Sequence, residues 1–254
     1  MKLSVVIITK NEAADIQACL ASVAFADQWI VVDSGSTDDT VALARAFGAT
    51  VIETPDWPGF GPQKNRALDA ADGDWVLSLD ADERITPQLQ SEIEAVLAAP
   101  AHAAYELPRL SSFCGYVVRH SGWYPDYITR LFRRDAGRFS ADLVHERVII
   151  DGGSTGRLRA PMRHFSYRDD GEYLRKLNQY SELGAKQAFA KGRRGGLGTA
   201  IGHALSAFLR SYLFKRGFLD GRAGLLVAIA ATEHTYHKYL KLMLLSEAQR
   251  RAGR

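Results

Sequence analysis

The apolar run Leu77-Ser78-Leu79 ends in three carboxylates, Asp80, Asp82 and Glu83. Charges this close in sequence repel one another unless a cation lies among them. Asp80 and Asp82 offer hard oxygen ligands two residues apart, which suits Mg²⁺ or Mn²⁺. A cation held there would in turn bind a diphosphate and resolve the electrostatics. Two other apolar runs end in polar side chains. Trp29 to Val32 stops at Asp33, and Leu3 to Ile8 runs into Thr9-Lys10-Asn11-Glu12. An Asp at a strand end can accept hydrogen bonds from a base or a ribose. Together these residues suit a nucleotide and a metal, held without a phosphate loop.

Other nucleotide schemes fit less well. A dinucleotide-binding fold needs a glycine-rich turn after its first strand, and Thr9 to Glu12 contains no glycine. The sequence has no P-loop. Phosphatases with an aspartyl nucleophile carry Asp-x-Asp after the first strand, with Thr soon afterwards. Here the motif comes later, and Glu83-Arg84 follow it.

A frame must bring these residues together. Leu3 to Ile8 is continuously apolar and β-branched, as in a strand buried on both faces. Ala13 to Ala24 places Ile16, Leu20 and Val23 on one helical face. Trp29 to Val32 is a second strand. Thr37 is the expected N-cap of a helix through Phe47, with Gly48 as its C-cap. Thr50 to Glu53 is a third strand, Asp56 to Pro62 a loop, Gln63 to about Ala71 a helix, and Trp75 to Leu79 a fourth strand. Thr86-Pro87 opens another helix, which Pro100 closes. The β-α-β-α order predicts a mostly parallel sheet with helices on both faces. Ligands of such sheets bind at the carboxyl ends of the strands, where Asn11, Asp33, Asp80 and Asp82 converge on one rim. Residues 101–165 predict an antiparallel extension with a mobile loop near Ser111 to Pro125. From Tyr173 the pattern is helical, with a linker at Gly192 to Gly196.

Three blocks, SVVIITKNEAADI, IVVDSGSTDDTVALA and QKNRALDAADGDWVLSLDADE, resemble in order and spacing the inverting glycosyltransferases of family 2, which have the GT-A fold. SGWYPDYITRLFRR, ADLVHERV, RHFSYRD and SYLFKRGFLDGRAGLLVAIAATEHTYHKYLK resemble the branch that includes bacterial lipopolysaccharide-core glucosyltransferases. The resemblance covers nearly the whole chain. It implies an α/β fold of GT-A type, with a mostly parallel sheet, helices on both faces and a C-terminal helical extension. Residues 1–168 would form the catalytic domain, with a nucleotide-binding half (1–100) and an acceptor half (101–168). Residues 169–254 would form the basic helical extension.

The same resemblance implies roles for residues. Asp33 would contact the uracil of a UDP-sugar, and Asn11-Glu12 would lie against the nucleotide. Lys64 and Asn65 would sit near the donor. Asp80 would face the ribose or the metal shell, Asp82 would ligate Mg²⁺ or Mn²⁺, and Glu83 would support the loop. His164 is a candidate third metal ligand or an ordinary hydrogen-bonded histidine. Arg130 either binds diphosphate or an acidic acceptor, or pairs with nearby acids. An inverting transfer also needs a general base opposite the leaving diphosphate. Glu146 is the first candidate and Asp142 the second, since alternation along a strand puts both on one face. Relatives carry a Glu-Asp pair where this chain has His145-Glu146, and the sequence leaves the two candidates open.

Composition sets the partners. The chain has 254 residues, 46% of them hydrophobic, enough for a real core. Leu3 to Ile8 is too short for a secretion signal, and no apolar run reaches the ~18–20 residues of a membrane span. Cys19 and Cys114 form no CxxC pair and read as reduced thiols. Residues 1–100 carry 6 Lys/Arg against 16 Asp/Glu, whereas residues 184–254 carry 13 against 3. The basic tail mixes cations with apolar faces, as helices that lie on anionic bilayers do. The expected partners are therefore a UDP-sugar donor, a glycolipid acceptor and an anionic inner-membrane surface, with no nucleic acid. The expected location is the bacterial cytoplasm, on the cytoplasmic face of the inner membrane. A nucleotidyltransferase and a non-catalytic nucleotide-sugar-binding scaffold are the alternatives. The first lacks its usual glycine-rich arginine signature near the first strand.

Overall fold

The computed structural model describes residues 1–140 and 146–252. The chain divides into two compact units, one of Met1–Arg109 with Asp126–His164 and one of Leu110–Pro125 with the chain from Phe165 onward.

The first unit opens with five strands and four helices. They are β1 (Leu3–Thr9), α1 (Ile16–Ala21), β2 (Gln28–Asp33), α2 (Thr40–Phe47), β3 (Thr50–Glu53), α3 (Phe60–Asp69), β4 (Trp75–Asp80) and, after the short β5 (Glu83–Arg84), α4 (Pro87–Ala98). Seven further strands follow: β6 (Ala104–Phe113), β7 (Tyr116–Val117), β8 (Asp126–Arg133), β9 (Gly137–Phe139), β10 (Val148–Ile150), β11 (Thr155–Arg157) and β12 (Met162–Tyr167). The main sheet runs in the order β3-β2-β1-β4-β8-β6-β12-β5. Its first four strands are parallel, and β8 joins β4 antiparallel, opening the antiparallel part.

Alternation along the strands divides the core into two layers. Val5, Ile7, Leu77 and Leu79 face α1 and α4, where Ile16, Leu20, Leu89 and Ile93 are buried. Val6, Ile30, Val32 and Val76 face α3 through Ala67 and Leu68. Helices thus cover both faces. The register aligns Thr9 with Asp33 and Ile8 with Asp80, so β2, β1 and β4 finish at one level.

Local signals explain most boundaries. Thr86 accepts from the Leu89 amide, with Pro87 at the first helical position. Gly48 ends α2 with a positive φ of 100°. The N-cap expected at Thr37 moves, since α2 begins at Thr40. The Thr37 amide donates to Asn11 Oδ1 at 2.8 Å, which commits this stretch to the neighbouring turn. Gly61, near the start of α3, lies so close to strand β9 that a Cβ there would stand 1.8 Å from the Ser140 carbonyl oxygen. The chain approach needs a glycine.

In the second unit, the segment expected as a mobile loop contains a hairpin, with Ser112 and Phe113 of β6 paired to β7. Phe113 and Val118 are buried with Tyr173, Leu177 and Val227, and that apolar contact orders the segment. Three helices complete the unit: α5 (Asp170–Ala190), α6 (Leu197–Leu209) and α7 (Arg222–Ala252). A π-helical turn (Arg210–Phe214) and a 3₁₀ turn (Gly217–Asp220) join the last two. The linker between α5 and α6 packs on α7, where a Cβ at Gly195 would meet the Met243 amide nitrogen at 2.6 Å. No helix among the described residues is long and apolar enough to cross a membrane.

Leu79 is fully buried one residue before Asp80. Leu79→Ala is expected to cost about 2–5 kcal/mol in urea unfolding. A change below about 1 kcal/mol would show that the layer beneath the rim is not close-packed.

Candidate functional site

The carboxyl ends of β1 and β2 are knitted by hydrogen bonds. Asp33 is buried, and its carboxylate accepts from Thr9 Oγ1 (2.9 Å), from the amides of Gly35 (3.0 Å) and Ser36 (2.8 Å), and from Ser36 Oγ (2.5 Å). It therefore organises the Ser34-Gly35-Ser36 turn. Asn11 takes a positive φ of 58°, and its amide donates to Ser36 Oγ at 2.8 Å. The Glu12 amide donates to Thr40 Oγ1 at 2.7 Å. Asn11, Glu12 and Asp33 thus share one two-loop rim. Gln63 extends it, donating to Ser34 Oγ and Thr54 Oγ1.

Beside that rim, the charges from β4 onward form an alternating chain. Asp80 Oδ1 meets Lys64 Nζ at 2.9 Å, and Asp80 Oδ2 meets Arg130 Nη2 at 2.5 Å. Lys64, only 3% exposed, also reaches Glu146 Oε1 at 2.9 Å. Arg130 also donates to Glu83 Oε1 at 2.7 Å. Glu83 is fully buried, and its other oxygen accepts from the Asp80 amide at 3.0 Å, which shapes the Asp80–Glu83 loop. Arg109 continues the chain, 3.6 Å from Glu83 and 2.6 Å from Asp126.

Burial pushes the Asp80 carboxyl up, but Arg130 and Lys64 outweigh it and hold the group well below the usual carboxylate range. Glu83 goes the other way: burial raises it, Arg130 opposes, and the Asp80 charge adds to the rise. A cleft of about 540 Å³ is lined by Lys64, Asp80, Arg109, Arg130 and Glu146 among others.

Asp82 has a different partner. His164 Nε2 lies 3.4 Å from its Oδ2. The pairing of β12 with β5, which sets His164 opposite Glu83, brings them together. Among the described residues, no three His, Cys, Asp or Glu side chains gather as a metal site. The donor set fits a partial shell, because Mg²⁺ is commonly held by one or two carboxylates plus substrate phosphates. Both Asp80 oxygens face cations, and Asp82 with His164 stands beside them at the same strand end.

Asn65 serves the frame, with its amide group exchanging two 3.0 Å hydrogen bonds with the Phe139 backbone. This pins β9 to α3. Asp142 lies outside the described residues. Sequence reasoning missed Arg109, which belongs to no quoted motif, Asp126, which lies inside the block SGWYPDYITRLFRR without drawing notice, and the central place of Glu83.

The sequence model of glycosyl transferase family 2 matches residues 4–140, which carry the whole rim and most of the charge chain. This chain belongs to that family. An uncharacterized glycosyltransferase of Rickettsia prowazekii is 32% identical over 96% of this chain and 88% of its own length. The lipopolysaccharide core biosynthesis glycosyltransferase LpsC of Rhizobium meliloti is 28% identical over 94% of this chain and 93% of its own. Among solved structures, the Mycobacterium tuberculosis glucosyl-3-phosphoglycerate synthase with Mn²⁺, UDP and glucosyl-3-phosphoglycerate is 30% identical. It covers 45% of this chain and 44% of that one, with a TM-score of 0.36. TarS of S. aureus is 16% identical, covers 100% of this chain and 92% of that one, and has a TM-score of 0.48. In this family 2 chain, the sheet with helices on both faces and the helical C-terminal extension stand as expected.

Removing Arg130 would leave Asp80 with Lys64 and the fully buried Glu83 with the more distant Arg109, 3.6 Å away. Arg130→Met is expected to lower stability by about 3–5 kcal/mol in urea unfolding. Arg138→Met, at an exposed ion pair with Asp69, should stay within about 1 kcal/mol. Equal losses would show that the buried cation has no special weight.

Proposed function

We propose that the cleft transfers a hexose, foremost glucose from UDP-glucose, onto a bacterial envelope glycolipid such as lipopolysaccharide core, with inversion at the anomeric carbon. The observation that carries this reading is the placement of Glu146. Its carboxylate lines the same cleft as Asp80 at the end of β4, and Lys64 bridges the two at 2.9 Å each. A carboxylate in the cleft at the end of β4 can take the proton of an acceptor hydroxyl as general base.

The residues then divide the work. Asn11 and Glu12 border the base and ribose, on the turn that Asp33 holds in shape. Lys64 and Arg130, two of the cations lining the cleft, attract the donor diphosphate. Asp82 and His164 would hold Mg²⁺ or Mn²⁺, which when bound supplies Lewis-acid stabilisation of the departing diphosphate. Lys64 also fixes Glu146 relative to Asp80, so the base and the donor rim share one cationic link. The glycolipid acceptor is supported by the similarity to LpsC along nearly the whole chain. The basic C-terminal extension supports attachment to an anionic membrane, on the cytoplasmic face of the inner membrane.

Incubation with Mn²⁺ or Mg²⁺ and a panel of nucleotide sugars should give slow hydrolysis of UDP-hexoses, with UDP-glucose fastest. No UDP release from any donor, even with membrane extract as acceptor, would favour a non-catalytic sugar-nucleotide binder. Asp82→Asn should abolish metal-dependent UDP binding measured by calorimetry, and unchanged binding would remove Asp82 from the metal shell.

Glu146→Gln should lower the transfer rate by about 10²–10⁴-fold while donor binding persists. If Asp142→Asn does this instead, the base is Asp142.

A further inference from the structure

The second unit exposes apolar side chains in an arrangement its own packing does not use. On α6, Leu197, Ile201, Leu205 and Leu209 repeat every four residues, and all are exposed, Leu205 by 58%. Only Ala200 and Ala204 of α6 are buried. The helix therefore packs through small residues and turns its large ones outward. The stripe continues past the helix: Phe214 in the π-helical turn is 80% exposed, and Phe218 and Leu219 in the next turn are exposed as well. Between α6 and the π-helical turn lies a groove of about 710 Å³, lined by Leu205, Leu209 and Phe214 with Arg210 and Lys215 beside them.

Charge identifies what covers this surface. From Lys191 to Ile229 the sequence has seven Lys/Arg and one acid, Asp220. Asp220 is engaged by His120 Nδ1 at 2.6 Å and by the amides of Arg119 and His120. Arg210, Lys215, Arg216 and Arg222 are exposed and make no ion pair among the described residues. A second copy of this surface would bring like charges together. A phospholipid bilayer with anionic headgroups offers both hydrocarbon and negative charge.

We propose that the ridge formed by α6 and the two turns inserts into the headgroup region of an anionic bilayer. Ile201, Leu205, Leu209 and Phe214 enter the acyl boundary, and Arg210, Lys215 and Arg216 meet the phosphates. This deepens the membrane-bound reading above by naming the inserted surface, and it makes attachment partly salt-resistant, unlike purely electrostatic adsorption.

The test is flotation of the full chain with phosphatidylcholine vesicles, with and without phosphatidylglycerol, at low and high salt. Wild type should float with the anionic vesicles and stay partly bound at high salt. The variant Ile201→Ser/Leu205→Ser/Phe214→Ser, altered only at exposed positions, should lose binding by on the order of tenfold or more. Arg210→Gln/Lys215→Gln/Arg216→Gln should lose the preference for anionic lipid. UDP-hexose hydrolysis without vesicles should be unchanged in both; its absence in wild type too would count against the transferase and leave the ridge standing. Three outcomes overturn the proposal. One is no flotation of wild type with anionic vesicles. Another is wild-type flotation of the serine variant. The third is a lipid-free dimer, seen by light scattering, that the serine variant converts to monomer while vesicle binding persists.

Discussion

The Arg130 guanidinium lies between Asp80 and the fully buried Glu83, at 2.5 and 2.7 Å. The arrangement of the rim depends on this contact. Without a cation there, the fully buried Glu83 would lie beside the Asp80 charge with Arg109 3.6 Å away, which favours its protonated form. The Nη2 nitrogen carries two N–H donors and serves both carboxylates at once. With the charges settled, Glu83 is able to accept from the Asp80 amide, and that hydrogen bond sets the loop carrying Asp82. Lys64 then extends the same alternation to Glu146. The candidate base is therefore tied to the strand end by charge.

The alternation also bears on where a divalent cation could act. From Glu146 through Lys64, Asp80, Arg130, Glu83 and Arg109 to Asp126, carboxylates and cations succeed one another. Asp80 already faces two cations. A third positive charge on the same carboxylate would compete with both. Asp82, beside His164, stands outside the chain. Repulsion within the Asp-x-Asp segment is thus relieved by the side-chain cations at Asp80.

Much of this was legible in the sequence, for a physical reason. Buried parallel strands must be apolar and β-branched, so β1, β2 and β4 announced themselves, and the polar residues at their ends fell on one rim. The Gly48 and Thr86-Pro87 signals worked because caps are local chemistry. What stayed hidden was long-range. Nothing near Arg109 reveals that it reaches both Glu83 and Asp126, and nothing near His164 reveals that a two-residue pairing of β12 with β5 will carry it to Asp82. Thr37 misled because a good cap residue was drawn into a hydrogen bond with Asn11, twenty-six positions away. The expected loop at Ser111 to Pro125 became a hairpin because Phe113 and Val118 had apolar partners in helices far along the chain.

The two ends of the chain handle charge in opposite ways, and the contrast is itself informative. The first hundred residues are acidic, and the acids at the rim are matched by buried or half-buried cations drawn partly from later segments. The C-terminal residues are basic, yet between Lys191 and Ile229 the cations make no ion pair among the described residues and stand among exposed leucines and phenylalanines. A protein designed only for water would separate these features, since an exposed apolar stripe promotes association. Cations spaced along the stripe oppose self-association and favour a surface that is both oily and negative. The acidic end neutralises its charge internally to build a site. The basic end leaves its charge outside, where it can select the environment in which that site works.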